Sequence, residues 1–377
     1  MMKQSVIWTN GEYRCLDSWF RDKKRVMLVC GQSIEKQTIY DYIQLLTEQH
    51  DIKIIRFSEF EPNPRYESIV TGVHTYRRER CDSIVAVGGG SSIDVAKCIK
   101  LYSNATGDGE NGEWLKQAVE PNDIPFLVMP TTAGTGSEAT RFAVIYFDNE
   151  KQSVSDDSCI PDTVLMDSDV LKTLSDYQKK STMMDALCHA IESFWSINST
   201  EESKAYSKTA IQSIVKHMDA YLSNTDEGNL AMLKAAYTAG KAISITQTTA
   251  GHAMCYKITS IFGCAHGHAA VLCNRVLYPW MIEHIDQCTD PRGTEYLKGI
   301  LGEIAIALGG YDTQSGGKIL KEIFDDLKLE IPKASGKQFE ELKTSVNPER
   351  LRNHPIALDE ETINRLYHTI LGDRNES

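Results

Sequence analysis

"CDSIVAVGGGSSIDVAK", residues 81–97, is the stretch whose reading decides the fold. Ile84 to Val87 is an unbroken apolar run, three glycines follow it, and Ser91 opens a segment with helical spacing. A short apolar run bounded by glycines reads as a strand buried on both faces, and strand–glycine–helix is the unit of a parallel α/β sheet. The same alternation extends outward. "RVMLVCG" (25–31) and "DIKIIRFS" (51–58) read as strands, and "SIEKQTIYDYIQLLTEQ" (33–49) and "RYESIVTGVHTYRRER" (65–80) as helices. "SSIDVAKCIKLYSN" (91–104) is a further helix, and "IPFLVMPTTAGTGSEAT" (124–140) a strand running into a loop of small residues. Between them, "NATGDGENGEWLKQAVEPND" (104–123) is polar and glycine-rich, and reads as a surface excursion.

The character changes after about residue 170. "DYQKKSTMMDALCHAIESFWS" (176–196), "EESKAYSKTAIQSIVKHMDAYLSN" (201–224) and "TEYLKGILGEIAIALGG" (294–310) all carry a period near 3.6, with little sign of strand. The expected organisation is an α/β N-terminal domain over 1–175, Rossmann-like with a mostly parallel sheet, and an all-α C-terminal domain over 176–377. The active site is expected in the cleft between them.

Bulk properties exclude several functions. The 377-residue chain carries a net charge of −12, which argues against nucleic-acid partners and against anionic membrane surfaces. No signal peptide is legible at the N-terminus, and no apolar run approaches the eighteen or so residues of a membrane span. The ten cysteines include no CxxC pair. Reduced core thiols in a cytoplasmic protein are the expectation.

Two loops point to a phosphate-bearing ligand. Gly88, Gly89 and Gly90 end a strand, with Ser91 and Ser92 at the start of a helix, where backbone N–H groups and the helix dipole favour an anion. A tight turn without a ligand is the alternative. "TTAGTGSEAT" (131–140) follows another strand, so both loops are expected at the carboxyl edge of the sheet, where open α/β folds bind ligands.

A metal is suggested by histidine placement. In "MMDALCHAIES" (183–193), Asp185 and His189 share one helix face among apolar neighbours. "AGHAMCYKITSIFGCAHGHAA" (250–270) then places three of the ten histidines within seventeen residues. His252 and His266 would lie about 21 Å apart on one straight helix, so two ligands of one ion require a bend, expected at Gly263. One carboxylate and three imidazoles suit Fe²⁺ or Zn²⁺ and leave a position for substrate. His268, two residues along the helix, would point away.

Together, "GGGSSIDVAK", "PTTAGTGSEAT", "DALCHAIES", Asn63–Pro64, and two histidines fourteen residues apart with glycine after the second resemble the group III, iron-containing metal-dependent alcohol dehydrogenases. The resemblance spans nearly the whole chain. It implies the dehydroquinate synthase-like fold of that family and hydride transfer between a nicotinamide and a carbonyl or alcohol. It implies Asp185, His189, His252 and His266 as metal ligands. Gly88 to Ser92, Asp94 and Lys97 fall in its pyrophosphate motif, Thr131, Thr132, Thr135 and Ser137 in its second cofactor loop, and Lys151 matches a cofactor-contacting lysine. Many members carry a further histidine where this chain has Tyr256, so the proton would come from Tyr256, a water or the cofactor ribose. A homodimer or higher homo-oligomer is also implied.

Two stretches (190–207 and 251–269) look like the branch that reduces phosphonoacetaldehyde to 2-hydroxyethylphosphonate. A phosphonate needs cations or helix N-termini near the metal, for which Lys257 and Arg141 are the candidates, with a solvated lysine and a surface arginine as the alternative. A general short-chain alcohol or diol dehydrogenase and a non-redox relative on the same fold are the rival readings. Gly31 stands where many NAD-preferring relatives have an aspartate, so NADPH is expected to be preferred, with NADH still usable because no arginine is visible in this loop.

Overall fold

The run Ile84–Val87 lies at the centre of a sheet. The structure is a computed structural model that describes residues 4–148 and 150–373. The strands of the first half are β1 (Ser5–Thr9), β2 (Arg25–Cys30), β3 (Lys53–Phe57), β4 (Ser83–Gly88), β5 (Phe126–Pro130), β6 (Phe142–Phe147), β7 (Glu150–Ser155) and β8 (Thr163–Asp167). Six of them form one parallel sheet in the order β1-β8-β5-β4-β2-β3, and β6 and β7 form an antiparallel pair of their own. Strands β2, β4, β5 and β8 are buried almost end to end, the pattern of a parallel sheet covered on both faces. The helices α1 (Asp17–Phe20), α2 (Thr38–His50), α3 (Tyr66–Arg78) and α4 (Gly90–Tyr102) belong to the same unit. The sheet order reverses between β2 and β4, the point at which doubly wound folds bind their ligands.

Two expectations need correction, and four strands lie outside them. The helix expected from Ser33 begins at Thr38, because Gln37 is extended (φ −104°, ψ 134°) and separates it from a short 3₁₀ turn. Strands β1, β6, β7 and β8 are no shorter than β2 to β5 but are not among the expected elements; β7, EKQSVS, has no apolar run and pairs with β6 in a hairpin. The excursion over 104–123 is not all surface: Trp114 is fully buried, stacks on Tyr102 at 5.8 Å, and donates from Nε1 to the Thr106 carbonyl. Gly109 (φ +80°) makes this possible, since a Cβ there would strike the indole ring.

The chain divides into two compact units. The first runs to Thr132 and resumes over Gly136–Thr173; the second takes up Ala133–Thr135 and the chain from Leu174 onward. The second unit is helical: α5 (Asp176–Trp195), α6 (Glu201–Leu222), α7 (Asp226–Thr246), α8 (Ala250–Phe262), α9 (His266–Glu283), α10 (Thr294–Ala307), α11 (Thr313–Leu327), α12 (Gly336–Ser345), α13 (Pro348–Leu351) and α14 (Glu360–Ile370). Two two-residue strands, β9 (Lys333–Ala334) and β10 (Gly372–Asp373), pair beside them. Ser175 and Gln178 form a capping box that starts α5. From Met183 to Trp195 every residue of α5 is buried, so its polar residues need partners inside the protein. Among the described residues no helix is long and apolar enough to cross a membrane.

Candidate metal centre and cofactor loops

Helix α8 ends at Gly263, which takes the left-handed conformation (φ +69°) and donates its N–H to the Thr259 carbonyl. Helix α9 begins three residues later at His266. The expected bend is therefore present and returns His266 toward His252, their ring centroids 5.3 Å apart. On α5, the i, i+4 spacing puts Asp185 and His189 on one face. Ligand atoms of Asp185, His189 and His252, all buried, lie within 4.8 Å of one another. His252 Nε2 is 3.5 Å from Asp185 Oδ1, and His266 Nε2 is 3.9 Å from the same oxygen. The His189 and His252 rings stack at 4.3 Å. His266 is about a third exposed and lies beside this group of three rather than within it.

Among the described residues, Asp185 Oδ1, His189 Nδ1 and His252 Nε2 are buried without a hydrogen-bond partner. Orphaned polar atoms cost roughly 1–3 kcal/mol each when buried, and three orphans converging on one point could serve as the donor set of a cation. The electrostatics agree. Burial would raise the Asp185 carboxyl, but His189, His252 and His266 hold it far below the usual carboxylate range. Burial pushes His189 down to about 4, keeping it neutral, as a ligand must be. His252 stands between two carboxylates; against the effect of burial, Glu192 and Asp185 raise it to about 9, so the place favours positive charge. The residues present thus fit a divalent metal.

His268 lies outside the cluster, as its position predicts. Its Nδ1 is 3.0 Å from Tyr177 Oη and its Nε2 2.9 Å from the Glu330 carbonyl. Tyr256 stacks on His266 at 5.2 Å. Lys257 is ion-paired with Glu341 at 2.7 Å, and Arg141, in the other unit, lies 3.4 Å from Asp157. Both candidate anion anchors are therefore already paired with carboxylates. Sequence reasoning missed Glu192, fully buried and 2.6 Å from His252 Nδ1. Its position, seven residues after Asp185 and three after His189 in an apolar helix, was the available signal.

In the first unit, Gly88 and Pro130 are register partners on β4 and β5, and Thr131 N–H donates to the Gly88 carbonyl at 3.0 Å. Both small-residue loops thus leave the same carboxyl edge, as expected. Gly89 precedes α4, and the N–H groups of Gly90, Ser91 and Ser92 come before its first internal bond, from Ile93 to Gly89. A Cβ on Gly89 would press on Thr132 at 3.3 Å, so glycine lets the two loops touch.

Asp94 and Lys97 have a different task from the one the motif implied. Lys97 Nζ is buried and donates to the carbonyls of Ser137, Thr140 and Phe142 at 2.6–2.7 Å. Asp94 accepts from Ser137 Oγ at 2.7 Å and from Val144 N–H at 3.0 Å, and Lys151 acts on its charge. These side chains tie α4 to the second loop; the Lys97 ammonium is occupied and cannot reach a phosphate. At β2, Gly31 opens the next loop, and an arginine does stand there, supplied by β3: Arg56 lies 3.4 Å from the carbonyls of Gly31 and Gln32 and 2.6 Å from Glu35. A neighbouring strand in space is invisible to a reading of the loop alone.

Comparison with known proteins gives two family matches. The model of "Iron-containing alcohol dehydrogenase" matches residues 4–168, and that of "Fe-containing alcohol dehydrogenase family, C-terminal" matches residues 179–371. Phosphonoacetaldehyde reductase of Streptomyces viridochromogenes is 29% identical over 82% of this chain and 80% of its own. Alcohol dehydrogenase 4 of Schizosaccharomyces pombe is 30% identical over 76% of this chain and 66% of its own. The crystal structure of the iron-containing alcohol dehydrogenase of Thermotoga maritima matches with a TM-score of 0.81 at 25% identity, covering 98% of each chain. That of sulfoacetaldehyde reductase from Bifidobacterium kashiwanohense matches in fold, with a TM-score of 0.83 at 21% identity over 98% and 97%.

Proposed function

Because this chain belongs to the iron-containing alcohol dehydrogenase family, oxidoreductases acting on CH–OH groups, we propose that it is a metal- and nicotinamide-dependent reductase of a small aldehyde, phosphonoacetaldehyde. The observation that carries the catalytic part is the convergence of three orphaned buried donors, Asp185 Oδ1, His189 Nδ1 and His252 Nε2. With His266 they would hold Fe²⁺ or Zn²⁺. When bound, such a metal supplies a Lewis acid at a carbonyl oxygen and a nicotinamide supplies the hydride.

The chain's own residues do the rest. The N–H groups of Gly90 to Ser92 bind the cofactor pyrophosphate, and Thr131 and Thr132 close over it from the neighbouring strand. Asp94, Lys97 and Ser137 hold those two loops together. Gly31 itself carries no carboxylate, and Arg56 beside it, paired with Glu35, would turn its cation to a 2′-phosphate, so NADPH is preferred. Tyr256, stacked on His266, takes the proton-donating role.

The phosphonate substrate rests on the 29% identical relative and on Lys257, whose cation would exchange Glu341 for the substrate anion. A second reading, a general short-chain alcohol dehydrogenase, is favoured by the carboxylate partners that Lys257 and Arg141 already have. A panel of phosphonoacetaldehyde, propanal and lactaldehyde with NADPH separates them. The proposal expects kcat/KM for phosphonoacetaldehyde to exceed that for propanal by at least tenfold; equal or reversed values leave the second reading.

A further inference from the structure

Helix α8 lacks a side-chain cap of its own: Thr249 stands at its N-cap without capping the helix by its hydroxyl. Its first turn is bound instead by a side chain from α5. Glu192 Oε2 accepts from Thr249 N–H at 2.7 Å, Thr249 Oγ at 2.9 Å and His252 N–H at 3.3 Å. Its Oε1 faces His252 Nδ1 at 2.6 Å and accepts from Asn274 Nδ2 at 2.8 Å. The carboxylate is fully buried, and Gly251 is what lets it approach, since a Cβ there would collide with Glu192 Oε1 and the Asn274 amide.

Both ring nitrogens face carboxylates, which only accept, but Glu192 is 2.6 Å from Nδ1 whereas Asp185 is 3.5 Å from Nε2, so Glu192 holds the Nδ1 proton and a metal beside Asp185 would take the Nε2 lone pair. Asp185, His189 and Glu192 thus use one helix face for two tasks, the first two at the cluster and the third behind it. We propose that Glu192 is the positioning residue of the metal centre: it sets the tautomer and orientation of His252 and, through the same carboxylate, docks the first turn of α8. This rests on the reading of Asp185, His189, His252 and His266 as metal ligands. Outer carboxylates behind ligating histidines typically account for 10–100-fold in metal affinity.

The test is Co²⁺ binding to the metal-free full-length protein, measured by chelator competition and by the visible absorption of the bound ion, for the wild type, Glu192→Gln and Thr249→Val. The wild type should bind one equivalent. Glu192→Gln should bind about 10–100-fold more weakly with a shifted spectrum. Thr249→Val removes the hydroxyl that donates to Glu192 and accepts from Trp195 Nε1. It should melt at lower temperature yet keep the wild-type affinity within about twofold, because Glu192 still faces the ring. Wild-type affinity and spectrum in Glu192→Gln, or equal weakening in both variants, overturns the proposal. A wild type that binds no Co²⁺ removes the ligand set itself and the proposal with it. Should Glu192→Gln not fold, ¹⁵N-histidine NMR of the Zn²⁺-loaded wild type decides: a metal-bound Nε2 and an Nδ1 proton strongly hydrogen-bonded, shifted far downfield, at His252 are expected, and an Nδ1 without a proton or with the shift of a solvent-exposed imidazole refutes it.

Discussion

Gly267→Ala tests how α9 is held against α5. Gly267 lies between His266 and His268, and a Cβ on it would overlap the Ser181 carbonyl oxygen and come within 2.6 Å of Asp185 Cβ and 2.8 Å of Asp185 N. Those contacts are to backbone and to a Cβ, which cannot swing aside as a long side chain would. Carbon atoms pack at about 3.5–4.0 Å, so the two helices must separate by roughly 1 Å at this point. Overpacking of this kind costs about 1–3 kcal/mol, a fall in melting temperature of roughly 1–4 °C for a chain of this size. The displacement falls on the residue next to His266 and on Asp185 itself. A misplacement of about 1 Å at a reacting centre can cost on the order of 10²-fold in rate. The variant should therefore fold, melt earlier, bind Zn²⁺ more weakly and lose about 10²-fold in kcat/KM. Differential scanning fluorimetry with and without Zn²⁺, followed by initial rates, reads all three. A variant with unchanged melting temperature and rate would show that this close approach of α9 to α5 does not hold the cluster.

The remaining predictions concern single groups. His266→Ala should lose most bound metal and nearly all activity while staying folded, whereas His268→Ala should keep the metal and lose only stability, by about 1–3 kcal/mol for the contacts to Tyr177 and Glu330; metal analysis and melting curves distinguish them. Lys257→Ala should raise KM for phosphonoacetaldehyde far more than for propanal, the loss of a charge-assisted contact being worth about 1.5–3 kcal/mol. Glu341→Gln, which frees that lysine, should lower it; equal effects on both aldehydes would exclude Lys257 as the anion's partner. Gly31→Asp should shift preference from NADPH toward NADH, and Arg56→Ala should weaken NADPH while sparing NADH; an unchanged NADPH/NADH ratio in both would mean that this loop does not read the ribose.

The sequence was most legible where one pattern served one purpose. The apolar run before Gly88 had to be a buried strand, and His252 and His266 could meet only if the chain turned, so the strand and the bend at Gly263 were both readable. Other strands were not: β1, β6, β7 and β8 are as long as β2 to β5, and β7 (EKQSVS) offers no apolar run at all. Residues whose partners are distant in sequence were also opaque. Lys97 stands in a phosphate-binding motif, yet its ammonium is bound to carbonyls some forty residues on. Arg56 reaches the Gly31 loop from the adjacent strand, a contact fixed by sheet order alone. Glu192 shares a helix face with the cluster but acts through α8, and its role emerges only when that helix is seen resting on it.

Metal titration against activity tests the central claim most directly. The protein is stripped with a chelator, then given Fe²⁺ anaerobically or Zn²⁺ in steps, with NADPH-dependent aldehyde reduction followed at each step, for the wild type and for Asp185→Asn. Activity should be absent without metal, rise linearly and saturate at one equivalent per chain in the wild type, and stay near zero in Asp185→Asn. Full activity in the stripped protein, or saturation of Asp185→Asn at the wild-type level with one equivalent, would contradict the account.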